Sequence, residues 1–102
     1  MAMEKRQPHY SLTTLKTRIA ERGIMVFTAT ALFNAAAMGL SEEQVLFVLS
    51  SLTRAMFYKS MTTYADSSIW QDVYHAPTPG GKVAYIKLTL QQGAVVIQFK
   101  EK

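Results

Sequence analysis

The hydrophobic period of this chain changes at Thr53. Before it, apolar residues mostly recur at the three-to-four spacing of helices; after it they alternate with the period of two that belongs to strands. Helices first and strands second is the order of an α+β domain, with the N-terminal helices packed on one face of an antiparallel sheet. At 102 residues the chain forms one domain, residues 1–102, long enough to bury a core without staples.

Local signals place the helices. "SLTTLKTRIAERG" spaces Leu12, Leu15 and Ile19 along one face, with Ser11 or Thr13 as N-cap, Gly23 as stop, and Lys16, Arg18 and Arg22 toward the end where the macrodipole favours cations. "IMVFT" is a short apolar run and reads as a strand. "TATALFNAAAMGL" has helical alanine density, Thr28 or Thr30 as cap and Gly39 at the terminus. "SEEQ", residues 41–44, is a capping box ahead of "VLFVLSSL".

Beyond Thr53, "AMFYKSMTTY" and "SIWQDVYH" flank the turn-forming "ADSS" as one hairpin. "KVAYIKLTL" and "AVVIQFKEK" flank "QQG" as a second, with Gly93 at the turn. "APTPGGK" between them is the expected flexible connection. In the second hairpin, alternation puts Ala84, Ile86, Leu88, Leu90, Val95, Ile97 and Phe99 on an apolar face that the helices must cover. The opposite face receives Val83, Tyr85, Lys87, Thr89, Val96, Gln98 and Lys100. Tyrosine among lysines suits a phosphodiester and stacked bases. It is also what a half-solvated sheet looks like.

Charge is uneven. Residues 54–102 hold six basic side chains (Arg54, Lys59, Lys82, Lys87, Lys100, Lys102) against Asp66, Asp72 and Glu101, and so carry +3 of the net +4. That excess favours a polyanionic partner. The absence of cysteine excludes disulfides, thiol catalysis and Cys-containing zinc sites. His9 and His75 show no ligand spacing, so no metal site is expected, and both read as solvent-exposed, His9 in the leader and His75 opening the Pro-rich loop. "PGGK" leads into a strand rather than a helix and is no phosphate cradle. The charged start "MAMEKRQPHY" and the lack of a long apolar run point to a cytoplasmic protein without a membrane anchor. A metal-free cleft of Lys, Tyr and Gln, with or without a His, can cleave RNA, because the 2′-hydroxyl is an internal nucleophile that needs orientation and charge stabilisation.

"MEKRQPHYSL" at the start, "FYKSMTTY" and "IWQDVYH" in the middle, and "FKEK" at the end together resemble the MqsR family of bacterial toxins, in order and along essentially the whole chain. The resemblance implies a RelE-like microbial ribonuclease fold and the toxin of a type II toxin–antitoxin pair. It implies a metal-independent mRNA endoribonuclease that cuts at GCU-type sites and inhibits translation and growth. Carried over by motif, Lys59 of "FYKSM", Gln71 of "IWQDVY", Tyr85 of "VAYIKL" and Lys100 of "QFKEK" are the implied catalytic group; Lys87 on the polar face and His75 are the expected RNA-binding residues, and no cofactor is expected. The implied antitoxin partner has a zinc-binding N-terminal domain and a helix-turn-helix C-terminal domain. Operator DNA is reached only through it, and the complex represses the operon. His75 stands where the family pattern expects an arginine.

Alternation alone sets Lys59 with Phe57, Met61 and Thr63, and Gln71 with Ile69 and Val73, so a bulge or a partly covered cleft is needed to expose them. Trp70 and Tyr74 fall on the opposite face, as core. Two other classes stay open: a non-catalytic nucleic-acid-binding module using the same basic face, and an interaction partner that meets an acidic antitoxin.

Overall fold

The computed structural model describes residues 2–102. A five-stranded antiparallel sheet in the order β1-β2-β3-β4-β5 carries all three α-helices on one face, as the change of period predicts. The elements are β1 (Glu4–Lys5), α1 (Leu12–Arg22), α2 (Ala29–Ala37), α3 (Glu42–Ser50), β2 (Phe57–Thr62), β3 (Trp70–Pro77), β4 (Val83–Leu88) and β5 (Val96–Glu101).

The helix signals operate as their chemistry demands. Ser11 Oγ accepts from Thr14 N, Thr28 Oγ1 accepts from Ala31 N, and Ser41 and Gln44 complete a reciprocal capping box. Gly39, at φ 79°, follows α2 in the left-handed region that favours glycine. Leu15 and Ile19 of α1, Ala31 and Ala35 of α2, and Val45, Val48 and Leu49 of α3 meet Tyr74, Ala76, Ala84, Ile86, Leu88, Val96 and Phe99 of the sheet in one core. Burial of that contiguous apolar surface is what holds the helices to the sheet.

"IMVFT" departs from expectation. Residues 23–26 form a 3₁₀ turn, and the run meets the sheet only at its end, through an isolated parallel bridge from Phe27 to Val96 and hydrogen bonds from Thr28 to Val96 O and Ile97 O. The run is apolar because Val26 and Phe27 are core, while Met25 projects into solvent. Its contact with β5 also shortens the last hairpin. Val95 N donates to Val26 O (2.7 Å) and is lost to the β4–β5 ladder, so β4 ends at Leu88 and β5 starts at Val96.

A register shift between Lys87 and Leu88 makes Val96 the partner of Leu88 while Gln98 remains the partner of Lys87. Ile97 is therefore the extra residue of a bulge, and the alternation of β5 inverts across it. Val96, assigned above to the polar face, is fully buried, and Ile97, assigned to the apolar face, is only half-buried.

Two further segments differ. "APTPGGK" is a short closed turn: Thr78 donates to Lys82 O from both N (3.0 Å) and Oγ1 (2.6 Å), and Gly81 N donates to Thr78 O (3.0 Å). With that turn beginning later than expected, His75 lies inside β3 rather than in a loop. The leader is fixed as well. Its strand β1 pairs Glu4 with Met61 and Lys5 with Ser60, and Met3 exchanges hydrogen bonds with Thr62. The Asp72 carboxylate, wholly buried, accepts from His9 N (3.0 Å to each oxygen), Tyr10 N (2.9 Å) and Ser60 Oγ (2.6 Å). His9, exposed as expected, stacks on Trp70 with centroids 5.2 Å apart, and Lys5 Nζ lies 4.2 Å from the Trp70 ring. The leader thus covers one side of Trp70, which is half-buried against the leader and is not part of the core expected for it, whereas Tyr74 is fully buried in the core as expected.

Candidate active site on the open sheet face

The face of the sheet away from the helices is built in rows by strand register. One row runs Lys59–Val73–Lys87–Gln98 across β2 to β5, and the next runs His75–Tyr85–Lys100 across β3 to β5. Tyr85 and Lys100 are direct cross-strand partners, as alternation predicts, and Lys100 Nζ lies 5.4 Å from the Tyr85 ring centre. Lys87 Nζ approaches the same ring at 5.8 Å from the neighbouring row. Val73 is fully buried and forms an apolar floor between Lys59 and Lys87.

The bulge that alternation required is present in β2. Phe57 pairs with Tyr74 and Lys59 with Val73, so Tyr58 is the additional residue. That one residue sends Phe57 to the helix side, where its ring meets Tyr74 edge-on at 5.6 Å, while Lys59 stays on the open face. Tyr58 itself turns over His75, stacked at 4.4 Å and 23°. His75 in turn sits 5.7 Å from Tyr85, so three rings form a continuous aromatic platform beside the lysines. Tyr58 carries two cations near its ring, Arg6 and Lys59, each 5.5 Å from its centre.

Gln71 stands apart. It shares a row with Met61 and Glu4, not with the lysines, and is only 7 % exposed. Four residue steps along β3 separate it from His75 in the Tyr85–Lys100 row, roughly 13 Å at the rise of an extended strand. The structure therefore brings Lys59, Lys87, Tyr85, Lys100 and His75 together over two adjacent rows and sets Gln71 in the next row on the Lys59 side, two rows from Tyr85.

Electrostatics follow from crowding and burial. Burial pushes the Tyr85 hydroxyl above the ordinary phenol value, partly offset by Lys59, so it is a protonated donor at neutral pH. Burial, then the charges of Lys100 and Lys59, lowers Lys87. Burial, with Lys102 adding to it, lowers His75, whose Nε2 is buried without a hydrogen-bond partner. Lys59 is held above the usual lysine value, chiefly by its hydrogen bond and ion pair with Glu4.

Two neighbours of this group escaped the sequence reading. Tyr58 is visible in "FYKSM", but only the bulge reveals which way it faces. Glu4 lies 55 residues from Lys59 in sequence, and only the docking of the leader brings its carboxylate onto the Lys59 ammonium. Among the described residues, no group of three or more His, Asp or Glu side chains converges as a metal site. None of the described helices is long and apolar enough to cross a membrane.

Comparison with known proteins agrees along the whole chain. The family described as motility quorum-sensing regulator, toxin of MqsA, matches residues 7–101. The mRNA interferase toxin MqsR of Escherichia coli (strain K12) is 42 % identical over 100 residues, which cover 98 % of this chain and 100 % of that protein. With the family match spanning nearly every residue that builds the helices, the sheet and its open face, this chain belongs to the MqsR toxin family.

Proposed function

We propose that this protein is the toxin of a type II toxin–antitoxin pair and acts as a metal-independent mRNA endoribonuclease, cutting at GCU-type sites on its open sheet face. The observation that carries the reading is the convergence of Lys59, Lys87 and Lys100 around the protonated Tyr85 over the apolar floor of Val73.

A scissile phosphate seated between the lysine row and the Tyr85–Lys100 row meets cations from three strands. As the 2′-oxygen attacks phosphorus, negative charge grows on the non-bridging oxygens, and preorganised ammonium groups there stabilise it more than they stabilise the ground state. The Tyr85 hydroxyl donates its proton toward the departing 5′-oxygen. The products are a 2′,3′-cyclic phosphate and a 5′-hydroxyl. The ring platform of Tyr58, His75 and Tyr85 supplies a stacking surface for the adjoining base, which gives His75 an RNA-binding role as a ring. Gln71, a row or two away, suits a contact with a neighbouring nucleotide better than one with the scissile phosphate.

The same reading assigns the protein to the cytoplasm and gives it a two-domain antitoxin with a zinc-binding N-terminal domain and a helix-turn-helix C-terminal domain, through which the complex represses its operon. Its test is induction without antitoxin, followed by mapping of new 5′ ends in cellular RNA and cleavage by purified protein in EDTA. Ends clustered at GCU and bearing 5′-hydroxyls are expected. Growth arrest without new ends, or RNA binding unchanged by Lys59→Ala and with no cleavage, supports the binding module instead. A requirement for Mg²⁺ overturns the metal-free mechanism.

A further inference from the structure

The side chains grouped on the open face are donors. Lys59, Lys87 and Lys100 bring positive charge, Tyr85 keeps its proton at neutral pH, and an amide such as Gln71 or Gln98 takes no proton. Attack by the 2′-hydroxyl also needs a proton acceptor. His75 is poorly placed for that task, because its ring lies between Tyr58 and Tyr85 and its Nε2 is buried.

One carboxylate reaches this face. Among the described residues, Glu21, Glu42 and Glu43 lie on helices, Asp66 in the β2–β3 turn, Asp72 on the helix side of the sheet, and Glu101 at the end of β5 with Lys82. Glu4 instead extends from β1 along the sheet to Lys59, with its side chain about half exposed and open to a ligand. Its position is built rather than incidental. Pairing of Glu4 with Met61, the Met3–Thr62 hydrogen bonds and the Asp72 anchor of His9 and Tyr10 fix the strand on both sides of it.

We propose that Glu4 is the general base of the cleavage reaction, taking the proton from the 2′-hydroxyl while Lys59 passes from Glu4 to the phosphate. The assignment rests on the endoribonuclease reading above. In the step, the O2′–P bond forms and the P–O5′ bond breaks; the 2′-hydroxyl proton goes to the Glu4 carboxylate and the Tyr85 proton to the 5′-oxygen. Solvent then resets both groups. The charged and titratable groups facing Glu4 are Lys59 from β2, Arg6 from the leader and Tyr85 from β4. The hydrogen bond and charge of Lys59 hold the Glu4 carboxyl below the usual glutamate value, so the base is ready throughout the neutral range.

The test uses the full chain, an RNA oligonucleotide with one GCU site, and its analogue with 2′-deoxyribose at the cut position. Glu4→Gln keeps the shape of the side chain and is expected to lower kcat about 10²-fold or more, the scale of a lost general base, and to abolish the acid limb of the pH–rate profile. Binding of the deoxy analogue stays equal or tightens, since a negative charge beside the phosphate is gone. Glu4→Asp is expected to retain the acid limb with partial activity. Glu4→Gln activity within threefold of wild type, activity above wild type, or a change confined to KM with the acid limb intact overturns the assignment alone. A wild-type protein that leaves the RNA uncut overturns the endoribonuclease reading and the assignment with it.

Discussion

Replacing Asp72 by Asn tests how the leader is held. The carboxylate is wholly buried and receives three donors: Ser60 Oγ at Oδ1, Tyr10 N at Oδ2, and His9 N shared between the two oxygens. An asparagine can sit two ways. With its amide nitrogen toward the leader, Tyr10 N–H faces another donor and stays unpaired. With the nitrogen toward Ser60, the single carbonyl oxygen keeps Tyr10 N–H and His9 N–H, and the Ser60 hydroxyl accepts from the amide while donating to Gln71 O, already 3.3 Å away. The second orientation is the cheaper.

What then remains lost is charge. Hydrogen bonds to a charged acceptor contribute about 1.5–3 kcal/mol and neutral ones about 1 kcal/mol, so converting the two leader bonds costs about 2 kcal/mol. Asp72→Ala has no such rescue. It leaves the two leader N–H groups of His9 and Tyr10 without their acceptor, while Ser60 Oγ still reaches Gln71 O, and at about 1–3 kcal/mol for each donor kept from water a loss of about 4 kcal/mol is expected before solvent reaches the site. Urea unfolding monitored by Trp70 fluorescence measures both variants, and amide exchange of residues 3–10 reports whether the leader detaches before the rest unfolds. Asp72→Asn costing under about 0.5 kcal/mol, or the Ala variant no worse than the Asn variant, refutes the account of the carboxylate as the leader's anchor.

Three shorter expectations follow from other parts of the structure. The Tyr74 hydroxyl is buried without a partner, and burial drives its pKa up to about 12; Tyr74→Phe removes that polar atom and is expected to raise stability by about 1 kcal/mol, visible as a higher Tm. Lys100→Ala is expected to lower cleavage by about 10²–10³-fold, as for a lost donor to the transition state, whereas Gln71→Ala moves RNA affinity more than rate; equal kcat losses in both argue against the row geometry. His75 has its pKa lowered by folding, so its contribution is present above the pH at which an unfolded histidine titrates and is lost as pH falls through the folded value; His75→Gln is expected to flatten the decline of stability as pH falls below about 6.5, and an unchanged slope refutes a buried neutral imidazole.

Much of the fold is legible because its causes are local. Ser11, Thr28 and the Ser41–Gln44 box cap helices with their own side chains, and the apolar period of Ala84, Ile86 and Leu88 names the face that the helices cover. Tyr85 and Lys100 emerge together from alternation because no irregularity lies between either residue and the centre of its hairpin pairing.

The remainder depended on contacts distant in sequence. A bulge is decided by which residues two strands can both pair, so neither Tyr58 nor Ile97 could be identified from the period of its own strand. "IMVFT" has strand composition, yet its hydrogen bonds go to a 3₁₀ turn and the edge of β5 because α2 must begin at Thr28. The leader is polar and looks unattached until Asp72, buried on β3, captures its backbone. The sequence by itself determined the α+β class, the existence of the three helices, the family and the cationic character of one sheet face. Tertiary structure alone decided that Lys59 faces the same way as Lys87, that Gln71 lies apart from Tyr85, and that Glu4 arrives beside Lys59. Register and burial arise from pairing between segments, and no single segment contains them.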